Sequence, residues 1–130
     1  IVHAQCKPRF AQEYALSKLK SEGFKLGVAS NSIRATVEVI MRKSNLDGYL
    51  DVQLSNEDVT KPKPDPEIFT KAIEMLGLTP HDILIIEDNE NGIKAARASG
   101  AHVMEVREVE EVNYENIMSR LSRGESGGNQ

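Results

Sequence analysis

The run Ile83-Leu84-Ile85-Ile86 constrains the fold more than any other part of this sequence. Four consecutive apolar residues without polar alternation predict a strand buried on both faces, as in the middle of a parallel sheet. A helical pattern precedes this run at 69–76, and an alanine-rich helical pattern follows it at 93–99. Strands that alternate with helices predict an α/β fold with a parallel sheet and right-handed crossovers.

The same alternation continues through the rest of the chain. Further strands are predicted at 24–29, 49–54 and 102–106, and further helices at 11–19, 37–44 and 114–121. Asn113 is placed to cap the last of these helices. We therefore predict one domain over residues 1–121 and a flexible tail over residues 122–130.

Composition excludes several classes of protein. The 130 residues carry a formal net charge of −4, with 5% aromatic residues and no tryptophan, whereas nucleic-acid binders usually show a basic stripe or a base-stacking platform. No apolar run approaches the roughly 18 residues of a membrane span. Cys6 is the one cysteine, which excludes an internal disulfide and fits a reducing compartment. We expect a cytoplasmic protein that binds neither nucleic acid nor membranes.

Three polar clusters lie at or just beyond the carboxyl ends of predicted strands, where ligands gather in parallel α/β sheets. The first is Ser30-Asn31-Ser32, between a strand and a helix. Free backbone N–H groups at such a position attract anions, and a serine hydroxyl adds a neutral donor. The alternative is simple helix capping, for which Ser32 is a suitable N-cap residue.

The second cluster is Lys61-Pro62-Lys63-Pro64-Asp65-Pro66. Each proline biases the residue before it to an extended form, so a lysine held here loses little freedom when it binds a phosphate. In a polyproline II run with three residues per turn, Lys61 and Lys63 point in different directions, and only one of them faces a given site. A solvated loop lysine is the alternative. Asp65 and Pro66 also predict the start of the next helix.

The third cluster is Glu87-Asp88-Asn89, directly after the apolar run. Two carboxylates at the end of a buried strand are electrostatically costly without a cation. Their hard oxygen donors suit Mg²⁺, which commonly takes one or two carboxylates together with phosphate and water. The alternative is that these acids complement the dipole of the helix that follows. Together the three clusters form a set that can stabilise a phosphoryl group during transfer.

In order and context these clusters resemble the haloacid dehalogenase superfamily, in the subfamily that includes phosphoglycolate phosphatase and β-phosphoglucomutase. Residues 26–31 match its second motif, residues 61–65 its third and residues 85–101 its fourth, of which the last is highly specific. The resemblance covers about residues 8–121. It implies a Rossmann-like, three-layer parallel sheet. It also implies a Mg²⁺-dependent phosphatase of a small phosphorylated metabolite that works through an aspartyl-phosphate.

The resemblance assigns roles to individual residues. It implies that Ser30 binds the transferring phosphoryl group, with the backbone of Asn31 nearby. Lys61, as the lysine before the first proline, would neutralise the charge of the phosphate and the nucleophile. Asp88 would be a Mg²⁺ ligand, and Glu87 would bind the ion directly or through water. We expect Lys61→Ala to impair phosphoryl transfer much more than a change at the second lysine.

The chain departs from this family at the first motif. That motif is an Asp-x-Asp whose first aspartate attacks phosphorus, but this sequence contains no Asp-x-Asp and has no Asp before Asp47. The cap inserted after the first motif is missing as well. We expect the central strand of the sheet to be absent, so that the strands ending at Ser30 and Ile86 lack a shared neighbour. The chain would then be the C-terminal portion of a longer phosphatase, inactive alone, with the missing N-terminal segment as its partner.

Three alternatives stay open at this point. A phosphomutase has the same core, and the cap that usually separates the two activities is absent. A phospho-acceptor receiver domain has similar length and residue types, but it places its acid pair ahead of the Ser/Thr and Lys, whereas here Ser30 and Lys61 precede Glu87. A non-catalytic module that folds and binds a partner is the third alternative.

Overall fold

A computed structural model describes residues 2–3 and 10–125 of the chain. Within these residues strands and helices alternate as predicted. The strands are β1 (Val2–His3), β2 (Gly27–Ala29), β3 (Val52–Leu54), β4 (Leu84–Glu87) and β5 (His102–Glu105). The helices are α1 (Phe10–Ser21), α2 (Arg34–Lys43), α3 (Glu67–Leu76), α4 (Glu90–Ala98) and α5 (Tyr114–Glu125). Short 3₁₀ turns connect them at Asp47–Tyr49, Asn56–Asp58, Pro80–Asp82 and Val109–Glu111.

The strands form one parallel sheet in the order β3-β2-β1-β4-β5. The predicted α/β, Rossmann-like fold is therefore confirmed. The expectation that β2 and β4 lack a common neighbour is wrong. Val2 lies opposite both Gly27 and Ile85, so the first residues of the chain occupy the central position. A two-residue strand carries no periodicity by which a sequence pattern could identify it.

Helices cover both faces of the sheet. On one face α3 and α4 pack over Ile85 in a core that includes Phe69. On the other face α1 and α5 pack over Leu84 and Ile86. Successive residues of a strand point to opposite faces, so Glu87 follows Ile85 onto the α3 and α4 side. This alternation decides which helices surround the carboxylate.

Several predicted helix ends are confirmed. Gly77 ends α3 in the left-handed conformation, with φ of 73°, and Asn113 accepts a 2.8 Å hydrogen bond from the N–H of Asn116 at the start of α5. Asp65 accepts a 2.9 Å bond from the N–H of Glu67, but α3 begins one residue later than predicted, since Pro66 is the N-cap residue and not the first helical residue. The helix α5 continues to Glu125, so the start that we predicted for the tail lies inside it.

No helix among the described residues is long and apolar enough to cross a membrane.

Candidate active site

Lys63 is the centre of the polar site at the carboxyl edge of the sheet. Its Nζ donates to Glu87 Oε2 at 2.7 Å and to the carbonyl oxygen of Ala29 at 3.1 Å. The same nitrogen lies 4.9 Å from the centroid of the Phe69 ring, within the range of a cation–π contact. The side chains of the ion pair are nearly inaccessible, at 6% for Lys63 and 1% for Glu87. A buried lysine is therefore bonded to both β2 and β4.

Lys61 does not join this site, although the resemblance assigned it the phosphate-binding role. The residue is exposed, and its backbone N–H donates to the carboxylate of Glu67 at 2.9 Å. Glu67 also accepts from the N–H of Thr60, which holds this stretch at the protein surface. The prediction that only one of the two lysines faces the site agrees with the geometry, but that lysine is Lys63. Both lysines precede a proline, so the local pattern does not distinguish them.

The carboxylate of Glu87 lies between Lys63 and the first turn of α4. A Cβ added at Gly92 would fall 2.2 Å from Glu87 Oε1 and 2.6 Å from Oε2, so the carboxylate rests directly on the helix backbone. The helix itself is capped by Asn89, whose Oδ1 accepts from the N–H groups of Asn91 and Gly92 at 2.8 and 3.3 Å. Glu87 therefore balances the charge of Lys63, and a separate residue caps the helix.

Ser30 and Asn31 adjoin the buried lysine. The backbone N–H of Ser30 donates to the carbonyl oxygen of Leu54, and its Oγ accepts from the N–H of Ser32 at 3.0 Å. Because that contact uses a lone pair, the hydroxyl hydrogen remains available to an acceptor such as a phosphate oxygen. Asn31 Oδ1 accepts a 3.4 Å hydrogen bond from the backbone N–H of Lys63. The first two predicted clusters thus meet, through Lys63.

The prediction that Ser32 caps α2 is wrong. The N-cap position is Ile33, without a side-chain cap bond, and the N–H of Arg34 instead donates to Glu57 Oε2 at 2.9 Å. Arg34 also pairs with Asp58 at 3.0 Å. The N–H of Ser55 and the guanidinium of Arg34 hold the pKa of Asp58 below its usual range. The turn Asn56–Asp58, distant in sequence, therefore caps α2 and holds the loop that begins at Ser30.

Glu87 and Asp88 supply the oxygen donors that could hold a metal. Two adjacent carboxylates fit Mg²⁺, which often completes its shell with phosphate and water. Glu87 already shares one oxygen with Lys63. Within residues 2–3 and 10–125 there is no group of three or more His, Cys, Asp or Glu that could hold a metal. Glu87 and Asp88 could thus provide some of the ligands of a Mg²⁺ site and not a complete set.

Comparison with known proteins identifies the family. The family model for haloacid dehalogenase-like hydrolases matches residues 1–106. The chain is 34% identical over 91 residues to pyrophosphatase PpaX of Bacillus cereus, covering 70% of this chain and 42% of that protein. It is 36% identical over 88 residues to phosphoglycolate phosphatase of Nitrosospira multiformis, covering 68% of this chain and 39% of the relative. The chain therefore spans about two-fifths of the length of these relatives.

Solved structures agree with this assignment. A crystal structure from Thermotoga maritima, assigned as a β-phosphoglucomutase, superposes with a TM-score of 0.73 at 25% identity. The match covers 86% of this chain and 52% of the Thermotoga chain. The motifs, the sheet order and the family match all lead to one conclusion. This chain belongs to the haloacid dehalogenase-like hydrolase family, in the subfamily of the phosphoglycolate phosphatases and β-phosphoglucomutases.

Proposed function

We propose that this chain carries the phosphate-binding and metal-binding part of a phosphatase that acts on a small phosphorylated metabolite. The observation that carries the proposal is the buried amine of Lys63, bonded to the strand that leads to Ser30 and to Glu87. A fixed cation beside a hydroxyl donor and a carboxylate pair suits the developing charge of phosphoryl transfer. The names of the pyrophosphatase and phosphoglycolate phosphatase relatives support the same substrate class.

Each residue has a distinct part in this proposal. Lys63 offsets the negative charge of the phosphoryl group, and Ser30 donates a hydrogen bond to one of its oxygens. Asp88 and Glu87 would hold Mg²⁺, which when bound neutralises phosphate oxygens. The sequence has no Asp-x-Asp, so an aspartyl-phosphate requires an aspartate from a segment outside it. The 130-residue chain is accordingly inactive alone.

Titration with inorganic phosphate in the presence of MgCl₂ tests the binding part of this proposal. Amide chemical shifts of the folded chain report the dissociation constant. Ser30→Ala and Asp88→Asn should each weaken phosphate binding by about tenfold or more, because each removes a charged or charge-assisted contact. Lys61→Met is the matched control and should bind as the unaltered chain does. If Lys61→Met weakens binding as much as Ser30→Ala, the assignment of the site lysine is wrong.

Turnover is tested in a longer protein that contains this chain together with a first motif. Asp88→Asn should abolish Mg²⁺-dependent release of phosphate. Changing Lys63 should impair transfer far more than changing Lys61, the reverse of the order expected from the sequence alone. The isolated chain should release no phosphate from p-nitrophenyl phosphate, and measurable turnover by it would refute the proposed need for an external aspartate.

A phosphomutase is the second candidate, favoured by the similarity to the Thermotoga structure. A mutase retains the phosphoryl group and returns an isomeric sugar phosphate. Assays that separately follow free phosphate and the isomeric product distinguish the two activities.

A further inference from the structure

Gly92 stands at a position where a glycine is not required by the backbone. It lies inside α4, where alanine forms helix more readily than glycine does. Its φ is not in the left-handed region. The local conformation therefore gives no reason for a residue without a side chain, and the explanation must be sought in what approaches it.

The group that approaches it is the carboxylate of Glu87. An added Cβ would lie 2.2 Å from Oε1, 2.3 Å from Cδ and 2.6 Å from Oε2, all shorter than any van der Waals contact. The end of a glutamate side chain can usually move aside. Here the side chain is 1% exposed and bonded to Lys63 at 2.7 Å, so moving the carboxylate away from Gly92 disturbs its bond to the lysine.

We propose that Gly92 is a positioning residue that keeps the Glu87 carboxylate on Lys63 by leaving free the space that the carboxylate occupies. Without that space the ion pair separates and the amine of Lys63 loses its anchor on β4. This inference rests on the proposed function, in which Lys63 is the phosphate-neutralising cation. Gly92 itself touches no substrate and acts only through Glu87.

Amine labelling of the folded chain with acetic anhydride, read by peptide mass spectrometry, tests this directly. In the unaltered chain Lys63 should react at least about tenfold more slowly than the exposed Lys61, because its charged hydrogen bonds must open first. In Gly92→Ala the rate at Lys63 should rise toward that at Lys61. Gly48→Ala is the matched control, since nothing lies within 4 Å of a Cβ at that position, and it should leave the ratio unchanged.

A variant that weakens α4 without touching Glu87 separates positioning from general loss of stability. Ala95 is fully buried on the same helix, and Ala95→Gly should lower the melting temperature while Lys63 stays protected. A folded Gly92→Ala chain with protected Lys63 would overturn the proposal, as would equal deprotection in Ala95→Gly.

If Gly92→Ala fails to fold, a double variant keeps the proposal testable. Glu87→Asp shortens the side chain by one methylene and withdraws the carboxylate from the added methyl group. The change should lower the melting temperature of the unaltered chain, but in a chain carrying Gly92→Ala it should restore a cooperative thermal transition. A double variant that also fails to fold would refute the steric argument. Neither readout involves phosphate, so failure here is distinguishable from failure of the proposed function in the phosphate titration.

Discussion

Replacing Lys63 with methionine should be the most informative single change in the site. The substitution keeps most of the side-chain length and removes the charge. At the observed 2.7 Å, opposite unit charges attract by about 6 kcal/mol at an effective dielectric constant of 20. Desolvation of both groups cancels much of that attraction while the pair is intact. Removing one partner leaves Glu87, with 1% of its side chain exposed, without its cation.

We expect Lys63→Met to lower the free energy of unfolding by about 3–5 kcal/mol, the usual cost of orphaning one member of a buried pair. That is a large share of the roughly 5–15 kcal/mol typical of a domain. Lys61→Met should cost under about 0.5 kcal/mol, because Lys61 is exposed. Urea unfolding followed by circular dichroism at neutral pH measures both. The double variant Lys63→Met/Glu87→Leu should recover much of the loss, since no buried charge remains.

Two outcomes would refute this reasoning. Equal costs for Lys61→Met and Lys63→Met would show that Lys63 is not the buried partner. The single variant Glu87→Leu completes the comparison. If the double variant loses as much free energy of unfolding as Lys63→Met and Glu87→Leu lose together, the two residues do not interact.

Two further predictions concern the loops around the site. The N–H of Ser55 and the guanidinium of Arg34 lower the pKa of Asp58 in the folded chain. The ionised Asp58 therefore stabilises the fold above about pH 3.9, the pKa of aspartate in an unfolded chain. This stabilisation is lost as the pH falls through the lower pKa that Asp58 has in the folded chain. The melting temperature of Asp58→Asn should therefore lie below that of the unaltered chain at pH 7, and the gap should close in acid. Asn89→Ala should lower the free energy of unfolding, measured with urea, by about 1 kcal/mol because it removes the cap of α4. Asn91→Ala, at an exposed position, is the control. Equal losses of stability in the two variants would contradict the capping role of Asn89.

The order of elements from α1 to α5 could be predicted from sequence because it depends on local patterns, whereas the two-residue strand β1 has no pattern to detect. The apolar run at 83–86 supplies most of the buried strand β4. The clusters at Ser30 and Glu87 lie close together because the carboxyl ends of parallel strands meet at the same edge of the sheet. The alternation of side chains along a strand also predicts that Glu87 points to the same face of the sheet as Ile85. The sequence alone does not predict that the helices on that face are α3 and α4.

The site features that sequence reasoning missed depend on how the segments pack, which no local pattern encodes. Lys63 is held in the site by Ala29 and Glu87, 34 and 24 residues away, while Glu67 binds the backbone around Lys61 at the surface. The start of α2 is capped by Glu57, which accepts a hydrogen bond from the N–H of Arg34, 23 residues earlier in the chain. No spacing rule along the chain contains this information. The Gly92 contact could have been suspected from one signal, a glycine inside a helix that follows an acidic strand end.

The strand order also bears on how the chain folds. β2 with β3 and β4 with β5 each form a parallel pair joined by one helix, and each can close locally. The pairing of β1 with β4 joins residues about 80 apart rather than about 20, which adds about 1.2 kcal/mol of loop-closure entropy. The half of the sheet with β1, β2 and β3 and the half with β4 and β5 can therefore form early and independently. The pairing of β1 with β4, here called the central seam, then closes last. The candidate site spans that seam, so its assembly reports the final step of folding.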